Sequence, residues 1–219
     1  MSTIVDHPLA RPHAALPGPV TLTGRLVRLV PLDESHLDGL LAAAQHPTET
    51  YPFTWVPRTE AALRKWFNEA LAGLRAGTFI PFVTFDHQEN RVVGSTRFGN
   101  LERWEWAQGA MRPAGSIDAV EIGWTWLAAH AMRSGINTEA KLLMLTHAFE
   151  TLQVHRVTLK TDARNFRSRN AIERIGGKLD GIFRAQTAAS DGGIRDSAMF
   201  SLLASEWPEN KQRLSALLR

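Results

Sequence analysis

The hydrophobic and polar positions along the chain follow two different periods, and together they predict both helices and strands. From residue 59 to residue 75 apolar side chains recur every three or four positions, which predicts an amphipathic helix that ends at Gly77. The apolar stripe of this helix consists of Leu63, Trp66, Phe67, Ala70, Leu71 and Leu74. Residues 79–86 and 91–101 instead alternate at every second position, with a short polar turn between them. This arrangement is typical of a β-hairpin.

The rest of the pattern adds further elements of both kinds. Strands are predicted at residues 21–32, 119–127, 156–162, 177–186 and 195–207. Helices are predicted at residues 34–46, with Asp33 as N-cap, from the turn at Gly135 to about Leu152, at 165–177, and over about the last dozen residues. Helices and strands are therefore interspersed along the chain, which indicates a mixed α+β fold.

Three stretches are predicted to lack regular structure. Residues 1–19 contain four prolines and little periodicity, so we expect a flexible N-terminal tail. Residues 47–59 and 102–116 combine proline or glycine with several aromatic side chains and are predicted to be long loops. No internal repeat and no change of composition divides the remainder, which predicts a single domain over residues 20–219.

The composition narrows the possible chemistry. The chain has no cysteine, which excludes disulfides, thiolate zinc sites and a cysteine nucleophile. Its eight histidines show no H-x-x-x-H spacing, so no metal site is predicted. The N-terminus lacks a basic segment followed by an apolar one, and no run of about 18 apolar residues occurs, so we predict a cytoplasmic protein without membrane contact.

The basic residues are mostly arginine. Five of the 25 basic residues are lysine, and the net charge is +3. Arginine suits planar contacts with phosphates and carboxylates, although a bias in codon use would have the same effect on composition. A nucleic-acid-binding protein would be expected to carry a basic stripe or a known reading motif, and the chain shows neither clearly. We therefore predict no nucleic-acid partner.

A turn with one central glycine stands between the predicted strand 119–127 and the helix that follows it. A helix N-terminus leaves backbone amides without partners and carries the positive end of the helix dipole, so anions bind there readily. Gly135 would let the backbone approach a ligand, Asn137 could cap the helix, and Arg133 would add positive charge. Turns with one glycine are also common for structural reasons alone, and the spacings G-x-G-x-x-G and G-K-S/T are absent. The turn is a candidate diphosphate site.

Several motifs, taken in order, resemble the GNAT superfamily of acyl-CoA N-acyltransferases, and within it the RimJ/RimL-like branch. VEIGWTWL (120–127) resembles the fourth strand of that family, and MRSGINTEA (132–140) resembles its pyrophosphate loop. Residues 147–178 resemble the strand and helix that follow, and RDSAMFSLLASEW (195–207) resembles the closing strand. The resemblance implies an α+β single-domain fold with a twisted, mostly antiparallel sheet. It also implies about six to seven strands, a splayed fourth and fifth strand, and about four flanking helices.

The resemblance further implies acetyl-CoA as the cofactor, with CoA as the product. Its pantetheine arm would lie between the strands at 119–127 and 156–162, and its diphosphate would lie on the amides of the turn. The implied cofactor-binding residues are Trp124, Trp126, Leu127, Met132, Arg133, Ser134, Gly135, Ile136, Asn137, Thr138, Asn165, Ser168 and Arg169. The chain departs from the family motif at Met132, Arg133 and Asn137. Because backbone amides supply the donors, the phosphate site should survive these changes.

The resemblance implies a direct transfer of the acetyl group to a primary amine in a ternary complex. Glu121 lies where some members have a catalytic glutamate, and it would either accept the amine proton, through water, or only orient the amine. A backbone amide around Trp126 or Leu127 would stabilise the oxyanion. Many members carry a tyrosine where this chain has Ile172, so Ser168 is the implied proton donor. Because a free thiol has a pKa of about 8.5, the CoA thiolate can also leave with little help from a proton donor.

Aromatic residues in two predicted loops are the candidates for the acceptor pocket, because loops on a rigid scaffold commonly carry specificity. The candidates are Tyr51, Phe53, Trp55, Arg58, Trp104 and Trp106. For each tryptophan, packing in the core or in a lid is the alternative role. The acceptor would be a protein N-terminus or a small-molecule amine, and the chain a monomer or a homodimer. The alternative functions are a non-catalytic acyl-CoA-binding module and an acyltransferase that uses another acyl-CoA, such as succinyl-CoA.

Overall fold

The computed structural model describes residues 19–45, 51–107, 113 and 115–218. The predicted tail, residues 1–19, falls outside the described residues except for its last position. The predicted loops at 47–59 and 102–116 are described in part. The division of the chain into a flexible tail and one domain therefore stays a prediction.

In the described part of the chain, eight strands form one sheet with the spatial order β1-β2-β3-β4-β5-β6-β8-β7. Their bounds are Leu22–Thr23 (β1), Val27–Pro31 (β2), Ile80–Asp86 (β3), Arg91–Glu102 (β4), Ala119–Leu127 (β5), Arg156–Asp162 (β6), Lys178–Ala188 (β7) and Ile194–Leu203 (β8). Neighbouring strands are antiparallel except β5 and β6, which run parallel. The predicted fold class is confirmed, with eight strands in place of six or seven.

The additional strand arises because the predicted strand 21–32 is divided into β1 and β2 by a turn. The backbone amides of Arg25, Leu26 and Val27 all donate to the carboxylate of Glu139. These bonds hold the chain in a turn. They also satisfy three backbone amides, which in an unbroken strand would instead be free to pair with a neighbouring strand. The partner lies 112 to 114 residues further along the chain, so the local pattern of residues 21–32 does not reveal the interruption.

Five α-helices flank the sheet within the described ranges. Their bounds are Leu37–Ala43 (α1), Glu60–Arg75 (α2), Ile136–Thr146 (α3), Phe166–Arg174 (α4) and Trp207–Ala216 (α5). The α2 helix agrees with the period-based prediction, and its N-cap hydroxyl on Thr59 accepts from the Ala62 amide at 3.2 Å. A short 3₁₀ turn capped by Asp33, as predicted, precedes α1. The helix predicted to reach Leu152 is α-helical only through α3 and continues as a π-helical turn, His147–Thr151.

Helices α2 and α3 cover opposite faces of the sheet. Trp126 of β5 packs against Trp66 of α2, with ring centroids 6.4 Å apart. The preceding residue, Thr125, accepts a hydrogen bond from Lys141 of α3 at 2.7 Å. Since successive strand residues point to opposite faces, both faces of β5 are covered by packed helices.

The parallel strands β5 and β6 are joined at one end only. Their ladder covers residues 119–121 of β5 and 156–158 of β6. Beyond these positions β5 continues to Leu127 and β6 to Asp162, with no further pairing between them. The predicted splayed pair of strands is therefore confirmed, and the gap between the strands leads directly to the functional site.

Candidate active site

The gap between β5 and β6 opens into a cleft of about 1320 Å³. Its walls come from β5, the turn before α3, α3 itself, β6, α4, the end of β7 and the loop at residues 51–55. Ligand pockets for small molecules commonly measure about 300–1000 Å³. The larger volume and the shape of the gap suit a long, extended ligand.

The N-terminus of α3 lies at the wall of this cleft. Gly135 is the N-cap residue and has φ +86°, in the left-handed region that favours glycine. The first backbone bond into the helix runs from the Glu139 amide to the Gly135 carbonyl, at 2.9 Å. The amides of Ile136, Asn137 and Thr138 have no acceptor among the described residues. Three open amides at the positive end of a helix dipole form a suitable site for a phosphate group.

The predicted cap of α3, Asn137, is not its cap. The helix begins one residue earlier, at Ile136, and the capping position is taken by Gly135 without a side-chain hydrogen bond. The Oδ1 atom of Asn137 is buried, lacks a partner in the described structure, and belongs to a residue that lines the cleft. Because a buried amide oxygen without a donor is costly, a ligand that brings an N–H or O–H group would be stabilised here.

A buried glutamate fixes the position of this helix end. Glu139 lies in the first turn of α3 and accepts from the three amides of the β1–β2 turn at 2.6 to 3.0 Å. Its negative charge also complements the positive end of the helix dipole. Sequence reasoning missed this residue, because an acidic side chain in the first turn of a helix has the same pattern whether it is solvated or buried.

Glu121 lies where β5 and β6 part, and it is 4% exposed. Its Oε2 atom accepts a hydrogen bond from Asn100 Nδ2 at 2.6 Å and forms an ion pair with Lys160 Nζ at 3.1 Å. Its Oε1 atom has no partner among the described residues and lies next to Gly123, where a Cβ atom would be 3.0 Å away. Glu121 and Gly123 both line the cleft. A carboxylate fixed through one oxygen and open at the other can accept a hydrogen bond or a proton from a ligand.

A strand bulge holds Trp124 at the cleft wall. Trp124 has φ +51°, unusual for a large side chain, and the β4–β5 register shifts beside it. The Arg97 guanidinium lies 5.3 Å from its ring, 5.2 Å from the Trp66 ring and 4.9 Å from the Phe79 ring. Burial lowers the pKa of Arg97 to about 10, so the group remains charged at neutral pH. Three aromatic rings thus stabilise the buried cation and fix the orientation of Trp124.

The α4 helix forms the facing wall. Asn165, predicted to line the coenzyme site, is the N-cap of α4, and its Oδ1 accepts from the Ser168 amide at 3.1 Å. This bond gives the N-x-x-S spacing a structural role and places Ser168 in the first turn of α4, at the cleft wall. At the other end of α4, Arg174 donates to Thr138 Oγ1 at 3.3 Å and adds positive charge beside the open amides of α3. Arg174 was not predicted from the sequence.

Three of the predicted acceptor-pocket residues line the cleft: Tyr51, Phe53 and Trp55. Burial raises the pKa of Tyr51 to about 12, with a smaller opposing effect from the backbone of Leu127, so its hydroxyl stays protonated at neutral pH. Phe53 packs against the Arg164 guanidinium at 5.1 Å. Trp55 is 56% exposed, which leaves much of its ring surface available for contact with a ligand.

The other three predicted acceptor-pocket residues do not line the cleft. Trp104 stacks on His155 with ring centroids 5.7 Å apart, and Trp106 lies 5.4 Å from the same ring. These contacts hold both tryptophans beside the start of β6, at the paired end of the β5–β6 ladder, so their positions do not support the predicted role. Arg58 also lies outside the lining, although its charge acts on Tyr51.

Most of the predicted coenzyme residues line the cleft, namely Trp124, Trp126, Leu127, Met132, Arg133, Gly135, Asn137, Thr138, Asn165 and Ser168. Ser134, Ile136 and Arg169 are not part of the lining. The Ser134 hydroxyl donates to the Ala131 carbonyl at 2.6 Å, and the Ile136 side chain is buried in the core. Arg169 donates to the Ala163 carbonyl at 3.2 Å, a contact that fits a structural role better than the predicted phosphate contact.

The cleft lining is strongly cationic. Its basic residues are Arg133, Lys141, Lys160, Arg167, Arg174 and Arg195, and its one carboxylate is Glu121, counting the described residues. This charge favours an anionic ligand. The described ranges contain no group of three or more acidic or histidine side chains that could hold a metal ion. None of the helices in the described ranges is long and apolar enough to span a membrane.

The class of the protein follows from a match to a known family, which agrees with the fold and the cleft. Residues 26–178, more than half of the chain, match the family described as acetyltransferase (GNAT) domain. The chain therefore belongs to the GNAT family and is an N-acetyltransferase, as its motifs predicted.

Individual relatives support the same assignment. "Putative ribosomal N-acetyltransferase YdaF" from Bacillus subtilis (strain 168) is 36% identical over 189 residues, which cover 85% of this chain and 88% of that protein. A GCN5-related N-acetyltransferase from Brucella melitensis is 29% identical with a TM-score of 0.79, covering 93% of this chain and 87% of that one. Mycobacterium smegmatis RimJ, solved in complex with CoA-disulfide, has the same fold at 23% identity and a TM-score of 0.71, covering 92% and 94% of the two chains. The predicted similarity to RimJ/RimL-like proteins is confirmed.

Proposed function

We propose that the protein transfers the acetyl group of acetyl-CoA directly to a primary amine, and that this amine is the N-terminal α-amino group of a ribosomal protein. The proposal is carried by one observation: a single cleft joins the open amides of α3 to the buried carboxylate of Glu121. The ribosomal acceptor is suggested by the 36% identity to YdaF, a protein named for ribosomal N-acetylation.

The residues present fit an acyl-CoA. Its diphosphate would be held by the amides of residues 136–138, with Arg133 and Arg174 supplying additional positive charge. The unpartnered Oδ1 atom of Asn137 would accept a hydrogen bond from the ligand. Gly135 keeps the turn tight, since a side chain there would require a left-handed backbone and would come within 3.0 Å of Leu26. When bound, acetyl-CoA supplies an acetyl group activated as a thioester.

Glu121 would act on the incoming amine. An α-amine with a pKa near about 8 is partly neutral at pH 7, whereas a lysine amine near about 10.4 is almost wholly charged. The open Oε1 atom of Glu121 would take up the amine proton, through water, or orient the amine. Asn100 and Lys160 hold the other oxygen, so the carboxylate keeps one orientation. An amide near Trp126 would stabilise the oxyanion.

The proton for the leaving thiolate has two candidate donors at the cleft wall. Ser168 is the donor that the family resemblance implies, and it lies in the first turn of α4. Tyr51 is distant in sequence from the motifs, but the structure brings it to the cleft near the Leu127 backbone with its hydroxyl protonated. Ser168→Ala and Tyr51→Phe, compared for kcat with acetyl-CoA, would distinguish them.

The central test is release of free thiol from acetyl-CoA in the presence of an amine. We expect thiol release with peptides that correspond to N-termini of ribosomal proteins, and an acetyl group on their α-amine by mass spectrometry. Glu121→Gln should lower turnover most for amines of high pKa and move the pH optimum upward, with coenzyme affinity little changed. Glu60→Gln is the matched control, because Glu60 is an exposed carboxylate on α2 that pairs with Arg64.

Three results would change the assignment. An unaltered pH–rate profile in Glu121→Gln would show that Glu121 is not the base, and would leave orientation of the amine as its role. Tight CoA binding without thiol release, for any amine, would favour an acyl-CoA-binding module. Faster turnover with succinyl-CoA than with acetyl-CoA would assign a carboxylated acyl group, for which Lys160 and Arg195 at the cleft offer cationic partners.

A further inference from the structure

Lys141 is a buried lysine in the cleft that the proposed transfer does not use. It lies on α3 and is 5% exposed. Its Nζ atom donates to Thr125 Oγ1 at 2.7 Å and to Thr96 Oγ1 at 3.2 Å. Lys141 and Thr125 both line the cleft, so the amine lies beside β5, the strand along which acetyl-CoA would bind.

No carboxylate of the described residues forms an ion pair with this amine. The other charged groups that line the same cleft are Glu121, Arg133, Lys160, Arg167, Arg174 and Arg195. Outside the lining, Glu139 lies on α3, His147 on the π-helical turn that follows it and Arg97 on β4. Glu139 is bonded to the β1–β2 turn, and Glu121 to Asn100 and Lys160. Burial lowers the pKa of Lys141 to about 7, so about half of the amine is neutral at that pH.

The other lysine in the cleft has different surroundings. Lys160 Nζ lies 3.1 Å from Glu121 Oε2, so its ammonium form has a counterion. A protonated amine has no lone pair and cannot attack a thioester. Of the two cleft lysines, Lys141 is therefore the one whose amine has no carboxylate counterion among the described residues.

We propose that Lys141 is an internal acetyl acceptor, so that the protein acetylates itself on this residue when acetyl-CoA is bound and no external amine is present. The inference rests on the proposed function, because it needs acetyl-CoA in the cleft. In the step, the Nζ lone pair forms a bond to the thioester carbonyl carbon and the carbon–sulfur bond breaks. CoA leaves as thiolate, the nitrogen loses one proton to solvent, and an amide remains.

The modification would alter the cleft itself. An acetylated Nζ has no positive charge and a single hydrogen to donate, so it cannot donate to both Thr96 and Thr125. The added acetyl group would also occupy space beside β5. We therefore expect the acetylated protein to bind CoA at least several-fold more weakly than the unmodified protein.

The test is mass spectrometry of the intact wild-type protein after incubation with acetyl-CoA and no acceptor, followed by peptide mapping. We expect one acetyl group per chain, located on Lys141, and protection by excess CoA. The rate should rise about tenfold between about pH 6 and about pH 8, because the neutral fraction of an amine with a pKa near 7 rises by that factor. Lys141→Arg should remove the acetylation, whereas Lys178→Arg, at an exposed lysine paired with Glu206, should retain it.

Mapping of the wild-type protein decides the question even if Lys141→Arg fails to fold. An unmodified Lys141, or acetylation spread over the exposed lysines and insensitive to CoA, would overturn the inference. The same preparation is assayed for thiol release with amines. Release with amines while Lys141 stays unmodified would overturn this inference alone, and absence of both reactions would overturn the proposed function as well.

Discussion

Replacing Lys141 with methionine should remove a pH dependence of stability that the wild-type protein shows between about pH 7 and about pH 9. The folded protein holds the pKa of Lys141 at about 7 because the amine is buried, whereas an unfolded chain has the ordinary value of 10.5. Between these two values the unfolded state binds more protons than the folded state. The free energy of unfolding therefore rises with pH in this window. Below about pH 7 the amine is protonated in both states, so Lys141 causes no further change of stability with pH.

The magnitude follows from the two pKa values of Lys141. One pH unit corresponds to about 1.4 kcal/mol per proton, and about 0.3 of a unit is lost near pH 7, where the folded state is still half protonated. From about pH 7 to about pH 9 the free energy of unfolding of the wild-type protein should therefore increase by about 2 kcal/mol more than that of the variant. Methionine is a suitable replacement because it is unbranched, and because Thr96 and Thr125, 2.8 Å apart, can still bond to each other.

The assay is urea unfolding of both proteins at about pH 7, 8 and 9, compared as the difference in free energy of unfolding. Lys178→Met is the control, since Lys178 is exposed and its pKa is raised by Glu206, which leaves it protonated in both states throughout this range. Parallel pH dependences of the wild-type protein and Lys141→Met would refute the reasoning. They would mean that the Lys141 amine stays charged in the folded protein, which would also remove the basis for its acetylation.

Three further outcomes test the architecture of the cleft. Gly135→Ala should cost about 1 kcal/mol of stability, because φ +86° is unfavourable for alanine, and should weaken CoA binding measured by calorimetry. Glu139→Ala should lower the free energy of unfolding in urea by about 3 kcal/mol, since three amides lose their acceptor, and a loss below about 0.5 kcal/mol would contradict that role. Trp106→Ala should leave the KM for the acceptor within about twofold of wild type, because the ring packs on His155 outside the cleft.

The elements that could be predicted from the sequence are those whose signal is local. The α2 helix was predicted from its own three-four spacing, and the structure adds a cap at Thr59 that is likewise local to the helix. The hairpin of β3 and β4 likewise follows from alternation on either side of a short polar turn. The turn at Gly135 could be identified as a candidate anion site because its open amides depend on the start of a helix rather than on a distant partner.

The parts that could not be predicted depend on contacts between distant positions. Lys160 has the pattern of a solvated strand residue, and its pairing with Glu121 exists only because β5 and β6 lie side by side. Asn100 reaches the same carboxylate from β4, 21 residues earlier in the chain. Trp104 and Trp106 were assigned to the acceptor pocket because aromatic residues in loops often bind ligands. Their actual partner, His155, had no sequence signal that linked it to them.

The two strands that border the cleft are each paired on their other side, β6 without interruption and β5 with a bulge at Trp124. β6 pairs with β8 over residues 156–162, its full length, and β5 pairs with β4 as far as Leu127. Closing the gap would require the ladders on both sides to shift, so the backbone edges that face it are available without prior rearrangement. A coenzyme that bound in the gap, as proposed, would add hydrogen bonds to edges already in place, so we expect its binding to have little ordering cost on this side. The acceptor side differs, because Phe53 and Trp55 come from a loop, so we expect acceptor specificity to depend on that loop more than on the sheet.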